Sequence, residues 1–310
     1  MLTIHLIGID GALRRYNSFN MPGSTLRSQR IAVVAHPELD DAYTEAERIA
    51  TFLKRNDVRV SYGLLYDEDL TRQVKEGTFD LLIALGGDGT MLRAGHLCGP
   101  LGLPIMGINL GHFGFLMEVR QNQWMDIMPR LLSGDYWLEQ RMMLCSELYR
   151  QDEILGKWEV LNEVVVGRGQ IVRPVQLVAE VDGRYLTTYV ADALIAATPT
   201  GSTAYALAAG GPILPPELRN ILLVAVAPHL SIDRAIVLAE GSSVSITIHT
   251  PHPAVLSVDG QTPVSVQDGD KVIARASDYT VKFVRFQDPG YFYRNLTPHM
   301  EQNPITGNQR

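Results

Sequence analysis

The hydrophobic positions of this chain follow one period before about residue 137 and another after it. From Arg30 to Asn109, short apolar runs alternate with stretches whose apolar residues recur every three or four positions. "RIAVVA" (Arg30–Ala35), "VRVSY" (Val58–Tyr62), "FDLLIAL" (Phe79–Leu85) and "LPIMGIN" (Leu103–Asn109) read as strands. The third is apolar on both faces, as a parallel strand covered by helices on each side requires. Between them, "DDAYTEAERIATFLKRN" sets Ala42, Ala46, Ile49 and Leu53 at helical spacing, with Asp40 or Asp41 as its cap. "DEDLTRQVKEG" reads as a shorter helix with a solvated acidic start and "TMLRAGHLC" as a third. "QWMDIMPRLLSGDY" reads as a fourth helix, stopped at Gly134. This alternation predicts a doubly wound α/β domain with a parallel sheet and right-handed crossovers.

Beyond Trp137 the texture becomes β-forming and alternating, as in "KWEVLNEVVVG", "VQLVAEVDGRYLTTYV", "GSSVSITIHT" and "DKVIARASDYTVKFVRF". Asp-Gly pairs at Asp182-Gly183, Asp259-Gly260 and Asp268-Gly269 sit between such runs and predict hairpins. One helical insertion, "STAYALAAGG", interrupts them. The expected organisation is an N-terminal extension over 1–28, a Rossmann-like α/β domain over 29–139 and a mainly antiparallel β domain over 140–285. A tail over 286–310, with no pattern of its own, is expected to pack back on the first domain.

Composition narrows the function classes. The 310 residues, 46% hydrophobic and 20% charged, suffice for one large core or two ordinary ones. A net charge of −7 argues against a nucleic-acid surface. Cys98 and Cys145 make neither a disulfide scaffold nor a zinc spacing, so a reducing cytoplasm is expected. In "MLTIHLIGIDGALRR" the basic residues follow the apolar ones and no small-residue cleavage site appears, which is not the order of a signal peptide; Met21 is an alternative start. No run approaches the roughly 20 apolar residues of a membrane span, so no membrane partner is expected.

The first candidate chemistry is "LLIALGGDGTMLRAG" (Leu81–Gly95), where a buried strand ends in glycines around one acid, Asp88. In open α/β sheets ligands bind at this edge. Gly86, Gly87 and Gly89 leave room for a phosphate to approach the backbone, and Thr90 can cap the following helix. A carboxylate beside a phosphate requires a cation or a proton transfer; alternatively, Asp88-Gly89 is only a tight turn. A second stretch, "ADALIAATPTGSTAYALAAGGPI" (Ala191–Ile213), bears on that choice. Pro199 enforces extended backbone on Thr198, Gly201 allows a sharp turn, and Ser202 or Thr203 caps a helix ending at Gly210-Gly211. Thr200, Ser202, Thr203 and Tyr205 thereby form a hydroxyl-rich cluster with a ring able to stack on a base.

Together with "GINLGHFGFL" (107–116), "LNEVVVG" (161–167), "PHL" (228–230) and "SVDGQ" (257–261), these stretches resemble the NAD kinase family across most of residues 30–300. The glycine turn alone is shared with lipid, sphingosine and 6-phosphofructo kinases; "NE" followed by "TPTGSTAY" is far more specific. The resemblance implies that Asp88 accepts the proton of the 2′-hydroxyl of NAD's adenosine ribose, and that Gly86, Gly87, Gly89 and Thr90 lie against dinucleotide and donor phosphates. It implies that Asn162 and Glu163 bind ribose hydroxyls and the adenine edge, and that Asp192 contacts the nicotinamide side at a subunit boundary. Thr203, Ala204 and Tyr205 would form the adenine pocket, with Thr200 beside it. Arg93, Arg173 and Gln261 fall at ligand-contacting positions, and Asn109 and Phe113 would line the cleft.

The chain departs from the family pattern at Ala193 after Asp192, at Ala208 where a serine could reach the ribose, at Arg234-Ala235, and at Val190, which is basic in some relatives. These departures bear on affinity and on the choice between NAD and NADH. The implied reaction transfers the terminal phosphoryl group of ATP, or of polyphosphate, to NAD with Mg2+ or another divalent cation, in a homodimer or homotetramer. A lipid or sphingoid-base kinase and a catalytically silent dinucleotide sensor are the alternatives. His229, in the family-like "PHL", is the histidine singled out; the others, His96 included, read as structural or surface residues, and Asp259 as a hairpin residue.

Overall fold

The computed structural model describes residues 29–111, 114–171, 173–229 and 232–301, with the backbone alone for 298–301. The expected extension over 1–28 and the cleft residue Phe113 lie outside them.

Strands β1 (Arg30–Ala35), β2 (Arg59–Leu64), β3 (Leu81–Gly86) and β4 (Ile105–Asn109) form a parallel array in the order β2-β1-β3-β4. Alternate side chains of β1 serve two cores. Ile31, Val33 and Ala35 pack with Ala42, Ala46, Ile49 and Leu53 of α1 (Ala42–Arg55), and with Met128 of α4 (Trp124–Ser133). Ala32 and Val34 face the other way, toward Leu70 of α2 (Glu68–Lys75) and Met91, Ala94 and Cys98 of α3 (Asp88–Cys98). Helices on both faces make the array doubly wound, as the uninterrupted apolar strands require. The strand order reverses between β1 and β3, so the loops leaving these two strands flank the switch-point crevice where such sheets bind ligands.

The β region consists of two facing sheets. One holds six antiparallel strands in the order β13 (Ile236–Ala239), β12 (Asn220–Val226), β11 (Ala193–Ala197), β8 (Glu163–Arg168), β15 (Ala254–Val258), β16 (Val264–Val266). The other contains β6 (Trp137–Arg150), β7 (Glu153–Val160), β9 (Val175–Val181), β10 (Arg184–Ala191), β14 (Ser243–His249) and β17 (Lys271–Arg285). It is continuous with the parallel array, because β17 pairs with β4 at Phe283 and Ile105; short β5 (Val119–Arg120) adds to β4 on the same sheet. Along β17, Val272 and Ala274 fill the core between the two β sheets, whereas Val281, Phe283 and Val284 fill the cores of the α/β part.

Local expectations are met where local chemistry decides. Gly134 ends α4 with left-handed φ of 78°, and Asp67 caps α2 by accepting the Leu70 N–H at 2.9 Å. Asp182-Gly183 and Asp259-Gly260 both take positive φ in tight turns, joining β9 to β10 and β15 to β16.

Other expectations are corrected. Asp268-Gly269 is a turn but no hairpin: β16 lies in the six-stranded sheet and β17 in the eleven-stranded one. The β-forming "KWEVLNEVVVG" does form strand, as β7 and β8 in different sheets. Thr90 is no cap, since Gly87 holds the N-cap position of α3 and Thr90 turns inward. Asp41 precedes α1 without any side-chain cap bond. "STAYALAA" divides into a 3-10 turn, Gly201–Thr203, and the four-residue α5 (Tyr205–Ala208). Ser202 caps neither, because its hydroxyl donates to Pro199 O (2.6 Å) and accepts Leu214 N–H (2.9 Å). The patternless tail forms α6 (Tyr291–Glu301), and buried Tyr291 places its ring 5.1 Å from the Arg285 guanidinium.

Candidate active site

β3 delivers the glycine turn to the carboxyl edge of the parallel strands, and α3 starts at Asp88. Its carboxylate accepts the N–H of Phe115 (2.7 Å, Oδ2) and of Leu116 (3.1 Å, Oδ1) from the loop after β4. Gly114 permits this approach: a Cβ there would overlap the Asp88 carboxylate. Gly86 is required for a related reason, since a Cβ would overlap the Thr90 hydroxyl tucked beneath it. That hydroxyl is buried and without a hydrogen-bond partner. Gly87 and Gly89 face open space, with no atom within 4 Å of a built Cβ. Arg93, one turn along α3, stacks its guanidinium 4.8 Å from the Tyr66 ring centroid. Buried Asn109 lies beside Gly86 in register, accepts the Gly111 N–H at 2.7 Å, and lines a 590 Å³ cavity with Arg48 and Arg120.

The second half of the site is built on "LNE". Leu161 and Asn162 carry the chain from β7 in one sheet to β8 in the other, and the Asp259 carboxylate gathers the crossing. It accepts the N–H groups of Leu161 (2.7 Å), Asn162 (2.8 Å) and Glu163 (2.9 Å), and its Oδ2 also lies 2.6 Å from His96 Nε2 of α3. From the other side Thr198 donates its N–H to Asn162 O and its hydroxyl to Leu161 O. Gly201 passes so close to Asn162 O that a Cβ would overlap it. "TPTGSTAY" is thus keyed onto "LNE" through backbone groups. Thr200 accepts from Arg141 at 3.4 Å, and the Thr203 hydroxyl donates to Thr200 O at 3.1 Å. Ala204 bridges the 3-10 turn and α5, Ala208 ends α5, and the Tyr205 ring is 43% exposed, open for stacking.

Glu163 is the electrostatic exception. Burial, then the neighbouring Asp259 charge, pushes its carboxyl up to about 8, against a lowering hydrogen bond from the Tyr205 amide. Its Oε2 is buried without a partner. A buried, unsatisfied carboxyl oxygen next to the Tyr205 amide is able to accept a further hydrogen bond.

The remaining expected residues divide. Gln261 joins the α3 side, its Nε2 lying 3.4 Å from His96 Nδ1. Arg173 and Val190 line a separate 730 Å³ cavity with His249, His252 and Asp268, and neither Asp88 nor Asn162 lines it. Asp192 faces Arg168 with oxygen and Nε 3.0 Å apart, near enough for charge but out of line for a hydrogen bond. Sequence reasoning missed His96 and the wider role of Asp259, whose carboxylate does far more than hold a hairpin. The pair is separated by 163 positions and carries no local signal.

A glycine–aspartate turn at a switch point, keyed to a hydroxyl-rich loop of a β sandwich, defines a nucleotide-dependent phosphotransferase. Residues 61–136 match the ATP-NAD kinase N-terminal domain and residues 161–286 the ATP-NAD kinase C-terminal domain. The chain belongs to the NAD kinase family. It is 36% identical to the NAD kinase of Chloroflexus aggregans over 276 residues, covering 89% of this chain and 99% of that one. To the NAD kinase of Moorella thermoacetica it is 37% identical over 271 residues, covering 85% and 87%. The crystal structure of an Archaeoglobus fulgidus NAD kinase in complex with ATP superposes with a TM-score of 0.69 at 26% identity, covering 88% and 98%. That of yeast NADH kinase complexed with NADH shares the fold, with a TM-score of 0.77 at 24% identity, covering 91% and 89%.

Proposed function

We propose that this protein transfers the terminal phosphoryl group of ATP to the 2′-hydroxyl of the adenosine ribose of NAD, forming NADP and ADP. The observation that carries the reading is the joining of Asp88 and the "LNE" loop through one helix, α3, by way of His96 and Asp259. That connection sets a carboxylate for the acceptor hydroxyl and a nucleoside pocket in one rigid frame.

The ribose oxygen attacks the terminal phosphorus, the bond to the bridging oxygen of ADP breaks, and the hydroxyl proton passes to Asp88. Phosphoryl transfer needs positioning and charge neutralisation above all. The carboxylate orients the hydroxyl and takes its proton late in the transfer. Gly87 and Gly89 leave space for the phosphates. Asn162 and Glu163 hold the ribose, Glu163 Oε2 accepting a hydroxyl; Thr200, Thr203 and Ala204 line the adenine pocket and Tyr205 stacks on the base.

The donor arrives as its magnesium chelate. In this reading phosphate oxygens and water supply most of the cation's ligands. The same reading assigns an active homo-oligomer, with Asp192 reaching the nicotinamide side near a subunit boundary, and a cytoplasmic location that suits the free, buried thiols Cys98 and Cys145. No helix among the described residues is long and apolar enough to cross a membrane.

NADP formation from NAD and MgATP, read by an NADP-specific dehydrogenase, tests the reading. Turnover is the expected result. NAD binding without product would identify a sensor, and neither binding nor product would remove the assignment. ATP against polyphosphate, and NAD against NADH, are distinguished in the same assay.

A further inference from the structure

We propose that His96 and Asp259 are positioning residues that set the acceptor pocket for the dinucleotide by locking the Leu161–Glu163 backbone to α3. The inference rests on the reading of Asn162 and Glu163 as the ribose-binding pair. The Asp259 carboxylate is fully enclosed and has four partners, three being consecutive backbone N–H groups of that loop. The fourth, His96 Nε2 at 2.6 Å, comes from α3, two turns beyond Asp88.

The chemistry fixes the tautomer. A carboxylate accepts, so Nε2 carries the hydrogen; Nδ1 is then the acceptor facing the Gln261 amide nitrogen at 3.4 Å. α3 also meets the loop directly, since a Cβ on Gly95 would stand 3.0 Å from Leu161 Cδ2. A carboxylate that satisfies three successive amides fixes the direction of the intervening side chains, here Asn162 and Glu163. His96 ties this knot by a side-chain bond to the helix bearing Asp88. Without it the loop keeps its fold but loses its registration against the glycine turn, and misplacements on the order of 1 Å are costly in such sites.

His96→Leu removes the donor at similar volume; His96→Gln keeps an N–H near the Nε2 position; His96→Asn is too short to reach Asp259. NAD affinity measured calorimetrically without ATP, alongside KM for ATP, separates the outcomes. Leu and Asn should weaken NAD binding about 10-fold, Gln should restore it to within about 3-fold, and KM for ATP should shift less than about 2-fold. Equal NAD affinity in Leu, Asn and wild type overturns the proposal, as does equal weakening in all three variants. If His96→Leu fails to fold, the Gln and Asn pair decides by the same criterion. Wild-type protein that does not bind NAD would remove the underlying reading itself, an outcome distinct from failure of the pair.

Discussion

The Asp88 carboxylate accepts the backbone N–H of Phe115 at 2.7 Å, a contact across 27 positions that locks the glycine turn to the loop leaving β4. Leu116 N–H binds the second oxygen, so the carboxylate we propose for the acceptor hydroxyl is itself oriented by two peptides. Asp88→Asn keeps the size but must turn its NH2 toward one of those N–H donors. The expected outcome is a folded protein destabilised by about 1–2 kcal/mol with turnover reduced about 100-fold or more. Chemical denaturation and the NADP assay measure the two effects, and wild-type turnover would exclude Asp88 as the proton acceptor.

The raised carboxyl of Glu163 predicts a pH dependence with a definite sign. The unfolded chain releases this proton near the ordinary value of 4.5, whereas the folded chain keeps it until about 8. Folding therefore loses stability as pH rises through that window and levels off above it. Glu163→Gln, a mimic of the neutral acid, should gain on wild type by more than about 1 kcal/mol between pH 5 and pH 8.5 in urea midpoints. A difference that does not change with pH would contradict the protonated state. Binding of NAD near pH 7 should also release a proton, because a ribose hydroxyl donated to Oε2 favours the carboxylate; calorimetry in buffers of different ionisation enthalpy detects it.

A buried ion cluster supports the seam beneath the site. Glu139 accepts from Arg141 at 3.0 Å and from Arg285 Nε at 2.8 Å, and Arg285 in turn donates to Leu116 O, beside the Asp88 contact. Burial pushes the Glu139 carboxyl up, but the two guanidiniums outweigh it and hold it below the ordinary carboxylate range. Glu139→Gln removes the carboxylate shared by the two buried guanidiniums, leaving Arg285 with Glu118 as its neighbouring acid, and should cost about 3–5 kcal/mol at pH 7. The stabilisation exists above the ordinary value and is lost as pH falls through the lowered one, so wild type and variant should converge on acidification. Denaturation from pH 7 down to pH 3 follows the gap, and a constant gap would refute the ionic origin.

Removal of divalent cation should abolish turnover, and added Mg2+ should restore it. If the cation arrives with the nucleotide, metal analysis of the purified protein should find less than stoichiometric cation. A tightly held equivalent that survives dialysis against chelator would place a resident metal in the site.

Much of the architecture follows from local pattern. β1, β3 and β4 carry apolar residues on both faces, and a strand so composed folds stably only between two layers of helices. Two of the three Asp-Gly pairs make hairpins, with positive φ at both residues; the third turns with positive φ at Gly269 alone and joins different sheets, since turn chemistry does not select the strand's distant partner. The same distinction separates Ser202, expected as a cap, from its actual place bridging Pro199 and Leu214.

By itself the sequence determined the alternation of strands and helices, the bare glycine turn around Asp88, and the hydroxyl-rich "TPTGSTAY" segment. Periodicity and turn chemistry act over a few residues and are written there in full. Only the tertiary structure decided that β17 completes both parts of the molecule, that Glu163 is buried beside Asp259, and that His96 meets Asp259 across 163 positions. A pattern states which face is buried, whereas the identity of what covers it depends on packing of the whole chain.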